Sequence, residues 1–239
     1  AGTPRGTLSA WVRPAVAVPA TNDRILHFGA SGSLAYIAFY CDTFGRLKAD
    51  CRDSTGTYQW RCRTPTAPFT AGEWIYITLV HNGVTPALYV NGVGMLLYFI
   101  VSTDKTVWFD SLGIAVDEAA IGADLITNPA SLFYEGNIDE VSIFSRVKIP
   151  SVLWNNGTPP DLSAQSGLEA YYRMGEDATF STPGVPGGFW TIPDDSFNSN
   201  DGTSENMDEE DKVNNAPDNI NQGLSSGMIE GDRKLDTPP

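Results

Sequence analysis

The stretch "EWIYITLVHNGVTPALYVNGV" (73–93) carries the fold in miniature. Successive side chains of a strand point to opposite faces, so over 73–80 Trp74, Tyr76, Thr78 and Val80 share one face and Ile75, Ile77 and Leu79 the other. A strand that is apolar on both faces belongs in the middle of a layered structure. The turn "HNGVTP" leads to a second strand ending in Asn91-Gly92, the pair that a two-residue hairpin turn prefers because both positions need positive φ.

The same pattern extends in both directions. "TLSAWVRP" (7–14) is a strand that ends at Pro14; "SLAYIAFYC" and "RLKADCRD" flank the turn "DTFG", and "TYQWRCR" comes after the turn "DSTG". Later strands are "MLLYF", "TVWFD" (106–110), part of "LGIAVDEAAIGA", "GNIDEVSIF" (136–144) and "GLEAYYRM". With 23 Gly, 16 Pro and 41% apolar residues in 239, the composition favours many short strands and turns around one sizeable core. The pattern is an all-β antiparallel sandwich. One helical turn is expected, "IPSVLWNNG" (149–157), with Pro150 early and Gly157 as the stop.

The net charge of −14 is unevenly spread: residues 1–165 hold 11 Lys or Arg against 14 Asp or Glu, and residues 166–239 hold 4 against 15. An acidic chain without a basic stripe excludes nucleic acid as the partner. The longest apolar run, "MLLYFIV" (95–101), is one strand long and too short for a membrane-spanning helix. The chain begins at Ala1 with no readable secretory signal before "GTLSAWV", which is expected of a processed terminus or a fragment.

Chemistry-bearing residues are sparse. Cys41, Cys51 and Cys62 have no zinc spacing; the "DSTG" hairpin would bring Cys51 and Cys62 nearly opposite for a bridge, against the plainer reading of buried reduced thiols. His27 and His81 sit at strand ends, where capping or core roles are expected. Asp139 and Glu140 are adjacent in a strand, so they are expected on opposite faces, Asp139 with Val141 and Ile143 and Glu140 with Ile138, Ser142 and Phe144. A glycosidase needs two carboxylates flanking one bond; Glu135 with Asp139 is the nearest same-face substitute, and it straddles Gly136. With no nucleophile elbow, P-loop or dinucleotide fingerprint either, the expectation is a protein that is not an enzyme.

Three blocks in order, "GTLSAWVRP", "EWIYITLVHNGVTPALYVNGV" and "GNIDEVSIFSRVKIPSVLWNNG", resemble LamG-like jelly rolls of the concanavalin A-like lectin/glucanase superfamily over about residues 6–160. The resemblance implies a two-sheet jelly-roll sandwich over 1–177, with "LEAYYRM" (168–174) as closing strand beside "IDEVSIF", and a loop-rich acidic tail over 178–239. "SGLEAYYRMGED" with the later "DDSFNSNDGT" and Asn206-Met207 is similar to units in virion proteins of tailed phages, with Phe197 and Ser199 where glycines are usual. It implies a non-enzymatic virion surface component, a tail fibre or capsid decoration, whose tail docks on neighbouring virion subunits or on a second copy. The alternative is a secreted or cell-surface calcium-dependent lectin, extracellular rather than virion-borne; a glycoside hydrolase is a distant third.

The resemblance also makes a glycan the natural ligand, with no cofactor required and calcium as an option. Tyr58 and Trp60, expected on one strand face and flanked by Arg61 and Arg63, and Trp108 near Asp104 and Asp110 are the candidate aromatic planes, against the reading that they fill the core. Asp194, Asp195, Asn198, Asn200 and Asp201 offer oxygens spaced for calcium, against an ordinary Asx-rich loop.

Overall fold

The strand that the sequence marks as apolar on both faces, Ile75–His81, is buried at every residue and lies inside a sheet. The structure is a computed structural model that describes residues 3–126, 130–175, 177–182, 188–205, 207–212 and 217. Its strands are β1 (Gly6–Pro14), β2 (Asp23–Gly29), β3 (Tyr36–Cys41), β4 (Leu47–Arg52), β5 (Tyr58–Arg63), β6 (Ile75–His81), β7 (Pro86–Val90) and β8 (Val93–Gly94). They continue with β9 (Tyr98–Ser102), β10 (Glu118–Ile121), β11 (Gly136–Phe144), β12 (Leu168–Tyr172), β13 (Thr179–Phe180), β14 (Trp190–Ile192) and β15 (Gly202–Thr203).

Two six-stranded antiparallel sheets make the sandwich. The first runs β12-β11-β1-β6-β7-β8 and the second β10-β2-β3-β4-β5-β9. Their inner faces share one core, with Leu8, Val12, Ile77, Leu79 and Val141 from the first sheet against Ile37, Phe39, Leu47 and Trp60 from the second. Burying each such side chain contributes about 1.5–3 kcal/mol. The β7–β8 turn has Asn91 at φ 48° and Gly92 at φ 74°, as the Asn-Gly pair predicts. A Cβ on Gly92 would lie 2.8 Å from the Ser151 Cα, so the turn seats directly on the helix after β11.

That helix, α1 (Pro150–Trp154), starts with Pro150 in its first turn and ends at Asn155, which takes the left-handed conformation two residues before Gly157. It delivers Leu153 to a second apolar layer on the outer face of the first sheet, with Trp11, Tyr76, Phe144, Leu162, Leu168 and Tyr171. No helix among the described residues is long and apolar enough to cross a membrane.

Two sequence expectations are corrected by the structure. Residues 106–110 form turns rather than a strand, because Trp108 folds inward and its ring stacks on His81 at 4.8 Å. Asp139 and Glu140 do not fall on opposite faces. Ser9 pairs with Ser142 and Trp11 with Asp139, so Ala10 alone stands opposite both Glu140 and Val141. Glu140 is the extra residue of a β-bulge, at φ 50°. The bulge places Asp139 opposite Trp11 on the outer face and Ile138 opposite Val12 on the inner one.

β12 pairs antiparallel with β11. Its other edge is bonded by the loop after β14: Tyr171 donates its backbone N–H to Asp194 Oδ1 at 2.8 Å, and Asp195 donates to the Tyr171 carbonyl at 2.9 Å. β13, β14 and β15 form a small third sheet. The expected docking of the tail falls mostly on residues 213–216 and 218–239, outside the described residues.

Candidate functional site

The outer face of the second sheet is built by alternation. "YIAFY" sends Tyr36, Ala38 and Tyr40 outward and Ile37 and Phe39 into the core; "LKADCR" does the same with Lys48, Asp50 and Arg52 against Leu47, Ala49 and Cys51. The register aligns them in rows across the sheet: Tyr36, Arg52 and Tyr58; then His27, Ala38, Asp50 and Arg61; then Arg24, Tyr40, Lys48, Arg63 and Tyr98. Ala38, the small residue of the middle row, is ringed by tyrosines, a histidine and a carboxylate.

Two ion pairs tie the rows together. Arg24 Nε donates to Asp124 Oδ2 at 2.5 Å, and Arg61 Nη2 lies 3.1 Å from Asp50 Oδ2, which also accepts from the Tyr40 hydroxyl at 2.9 Å. Cations lie over the rings: the Arg24 guanidinium is 4.2 Å from the Tyr40 ring centre, Arg61 4.2 Å from that of Tyr58, and Lys48 5.0 Å from that of Tyr40. His27 stacks on Tyr36 at 5.4 Å with Nδ1 3.9 Å from Asp124 Oδ2.

Burial governs the protonation states. It pulls His27 down to about 4, against the pull of Asp124 and with that of Arg24, so the imidazole is neutral at pH 7. Burial opposes the Arg61 charge, but the Asp50 carboxylate beside it holds the guanidinium above its ordinary value. Burial and then Asp50 push the Tyr40 phenol up. Four buried atoms of this network have no protein hydrogen-bond partner: Arg24 Nη1, His27 Nδ1, Asp50 Oδ1 and Arg61 Nε. Each such atom costs about 1–3 kcal/mol if nothing meets it, so a group of them in one network calls for partners beyond the protein's own side chains, an ordered water or a ligand group. The network reaches solvent at Arg61, whose side chain is 27% exposed, and at half-buried Tyr58.

Of the aromatic planes expected from the sequence, Tyr58 is on this face. Trp60 and Trp108 are corrections. Arg52 pairs with Tyr58 and Cys51 with Trp60, so a bulge at Gln59 turns Tyr58 outward and Trp60 inward. Trp60 is 0% exposed, and its Nε1 donates to the Val107 carbonyl at 2.8 Å; Trp108 is 1% exposed. Neither offers a face to a ligand.

The residues of the calcium set lie around β12 and bond largely to the protein itself. Asp194 is buried, and its oxygens accept from the backbone N–H groups of Tyr171, Ser196 and Asn200 and from the Ser196 hydroxyl. Asp201 Oδ1 accepts from the Asp194 backbone at 3.0 Å, Asn198 Nδ2 donates to the Glu169 carbonyl at 2.8 Å, and the Asn200 carbonyl accepts from the Tyr172 hydroxyl at 2.7 Å. The loop is an Asx-type clamp that holds β12, with Ser199 at φ 52° where a glycine is usual. No group of three or more His, Cys, Asp or Glu among the described residues is arranged to hold a metal ion.

The remaining candidates are structural. His81 bridges the Lys105 and Pro4 carbonyls, at 2.9 and 3.3 Å, inside the core. Cys41, Cys51 and Cys62 are free and buried, with Cys51 opposite Trp60 and Cys62 opposite Ala49, and burial pushes the Cys41 thiol up to about 12. Glu140 accepts from the Tyr171 hydroxyl and lies 3.6 Å from Arg173 Nε. An open cleft of about 770 Å³, lined by Arg5, Asn82, Ser145, Arg146 and neighbours, lies away from the tyrosine and arginine rows.

Residues 2–151 match the family model described as the concanavalin A-like lectin/glucanases superfamily. No curated protein matches the chain in sequence. Among solved structures, a candidate carbohydrate-binding protein from Bacteroides ovatus is similar at 18% identity and TM-score 0.59, over 87% of this chain and 53% of that one. The chain thus spans about half the length of that protein. The CBM40 of the Ruminococcus gnavus IT-sialidase, bound to α2,3-sialyllactose, is similar at 14% identity and TM-score 0.52, over 64% and 83% of the two chains. The leech intramolecular trans-sialidase is similar at 12% identity and TM-score 0.51, over 80% of this chain and 29% of that one.

Proposed function

Because the chain belongs to the concanavalin A-like lectin/glucanase superfamily, we propose that it is a non-catalytic saccharide-binding module that holds its ligand on the outer face of the second sheet. One observation carries this reading: Arg24 Nη1, His27 Nδ1, Asp50 Oδ1 and Arg61 Nε, two donors, an acceptor and an imidazole nitrogen, are buried without protein partners in one network that reaches solvent at Arg61 and Tyr58. Sugar hydroxyls donate and accept at once and suit such a mixed set. Tyr58 at the rim supplies a ring for the C–H face of a sugar. The carbohydrate-binding names of the Bacteroides and Ruminococcus structures support the same reading. Asp124 and Asp50 are each engaged by an arginine, an arrangement suited to holding a ligand rather than to flanking a glycosidic bond.

The test is a glycan array and then calorimetric titration of the best ligand with wild type, Tyr58→Ala and Arg61→Ala, with and without a calcium chelator. The expected result is binding that each variant weakens about tenfold, the equivalent of one lost contact of ~1.4 kcal/mol, and that the chelator leaves alone. An array without a hit, or variants that bind like wild type, would overturn the assignment.

A setting on a tailed-phage virion is a second reading, carried by the "YYRMG" and "NDGT" segments of the sequence. Its test is light scattering of the full chain beside one ending at Ser204: an oligomer that becomes a monomer supports an assembly arm, and two monomers argue against it.

A further inference from the structure

We propose that the saccharide taken by this face is acidic, with its carboxylate or sulfate group held over Lys48 and Arg63. The inference rests on the saccharide reading and deepens it. In a chain of net charge −14, this face carries five cations, Arg24, Lys48, Arg52, Arg61 and Arg63, against the carboxylates of Asp50, Glu118 and Asp124. Asp124 is engaged by Arg24 and Asp50 by Arg61. Glu118 sits in β10, opposite Gly29, at the far edge of the sheet.

The row of Tyr40, Lys48, Arg63 and Tyr98 is the informative one. Lys48 and Arg63 are directly opposite in the β4–β5 pair, and like charges in that relation destabilise a sheet. Lys48 is 9% exposed, and among the described residues its ammonium lies over the Tyr40 ring and feels Asp50 and Asp42 through space, with no ion pair or hydrogen bond of its own. The Arg63 guanidinium lies 4.9 Å from the ring centre of Tyr98, which is 58% exposed, and donates to the Thr64 carbonyl at 3.3 Å. Asp50 and Asp42 are each already paired with an arginine, so an anion from outside would meet Lys48 and Arg63 through charge-assisted hydrogen bonds. The rings of Tyr40 and Tyr98 bracket that place, so an anionic group attached to a sugar body fits it better than a small free ion.

The experiment titrates the full chain with matched saccharides that differ only in charge: neutral, carboxylated and sulfated forms of the same glycans, at two salt concentrations, with wild type, Lys48→Met and Arg63→Gln. The acidic members are expected to bind at least tenfold tighter than their neutral partners, with the preference shrinking at high salt. It should fall below about threefold in each variant, with Tm lowered by no more than about a few degrees. The carboxylated and sulfated arms identify which anion is preferred. Equal binding of neutral and acidic members overturns the inference and leaves the saccharide reading standing. Binding of no member overturns both, and a preference that survives both substitutions removes Lys48 and Arg63 from the site.

Discussion

The two outer faces of the sandwich are each made by six antiparallel strands of the same pleat, and they are finished in different ways. The first sheet's face is roofed by apolar side chains: α1 and the segment leading to β12 lay Leu153, Leu162 and Leu168 over Trp11, Tyr76 and Phe144. Some of its buried polar groups meet one another, as where the Ser9 and Ser142 hydroxyls bond at 2.6 Å and Glu140 takes the Tyr171 hydroxyl, while the Tyr76 and Thr78 hydroxyls have no hydrogen-bond partner among the described residues. The second sheet's face carries tyrosines, cations and atoms without protein partners. The fold fixes where a face lies, and the alternate residues of β3, β4 and β5 decide whether it is finished by apolar side chains or by charged and aromatic ones.

The strongest way to break this contrast is to remove the roof. Phe144→Ala deletes a ring that is 2% exposed and is expected to cost about 3–5 kcal/mol in urea unfolding. Saccharide affinity of the folded fraction should not change. A drop in affinity would mean that the two faces are mechanically coupled.

Acid should act on the faces with opposite signs. His27, held down to about 4 by burial, binds a proton more readily in the unfolded chain. Its contribution is therefore present above pH 6.5 and is lost as pH falls toward 4, on the order of 3 kcal/mol. Glu140 is pushed up from the ordinary glutamate value of 4.5 by burial, against the pull of Tyr171 and Arg173. The folded chain holds that proton more tightly, so this contribution grows as pH falls through the raised pKa and levels off below 4.5. In urea titrations from pH 7 to 4, His27→Gln should flatten the loss. Glu140→Gln should steepen the net loss because the compensating gain disappears. The same slope in both variants would contradict the assignment.

The sequence made the architecture legible because the fold's signals are local. Alternation in 73–80, the Asn91-Gly92 turn and Pro150 at a helix start each need only a few neighbouring residues. The site was less legible, for two physical reasons. An extra residue at Glu140 and another at Gln59 reverse the facing of the rest of their strands, and nothing in the residue types announces them. Tyr58 and Trp60, two apart, consequently separate. The network also draws on four neighbouring strands and on Asp124, residues 24 to 124 in the chain, so its existence depends on register. One signal was present: "LKADCR" alternates charged and apolar residues, which marks one face of β4 as polar and the other as core.

The finest test uses two cations in matching positions. Lys148 lies 4.6 Å from the centre of the Phe144 ring on the roofed face, and Arg63 lies 4.9 Å from that of Tyr98 on the open one. Each contact is worth about 0.5–1 kcal/mol, so Lys148→Met and Arg63→Gln should lower stability by similar small amounts. Only Arg63→Gln should alter saccharide affinity, because Arg63 stands opposite Lys48 on the proposed binding face, whereas Lys148, beside Arg146, lies on the roofed one. If both variants bound equally well, cation–ring stacking would be surface packing on either face, and the open face would have to hold its ligand through Tyr58 and Arg61 alone.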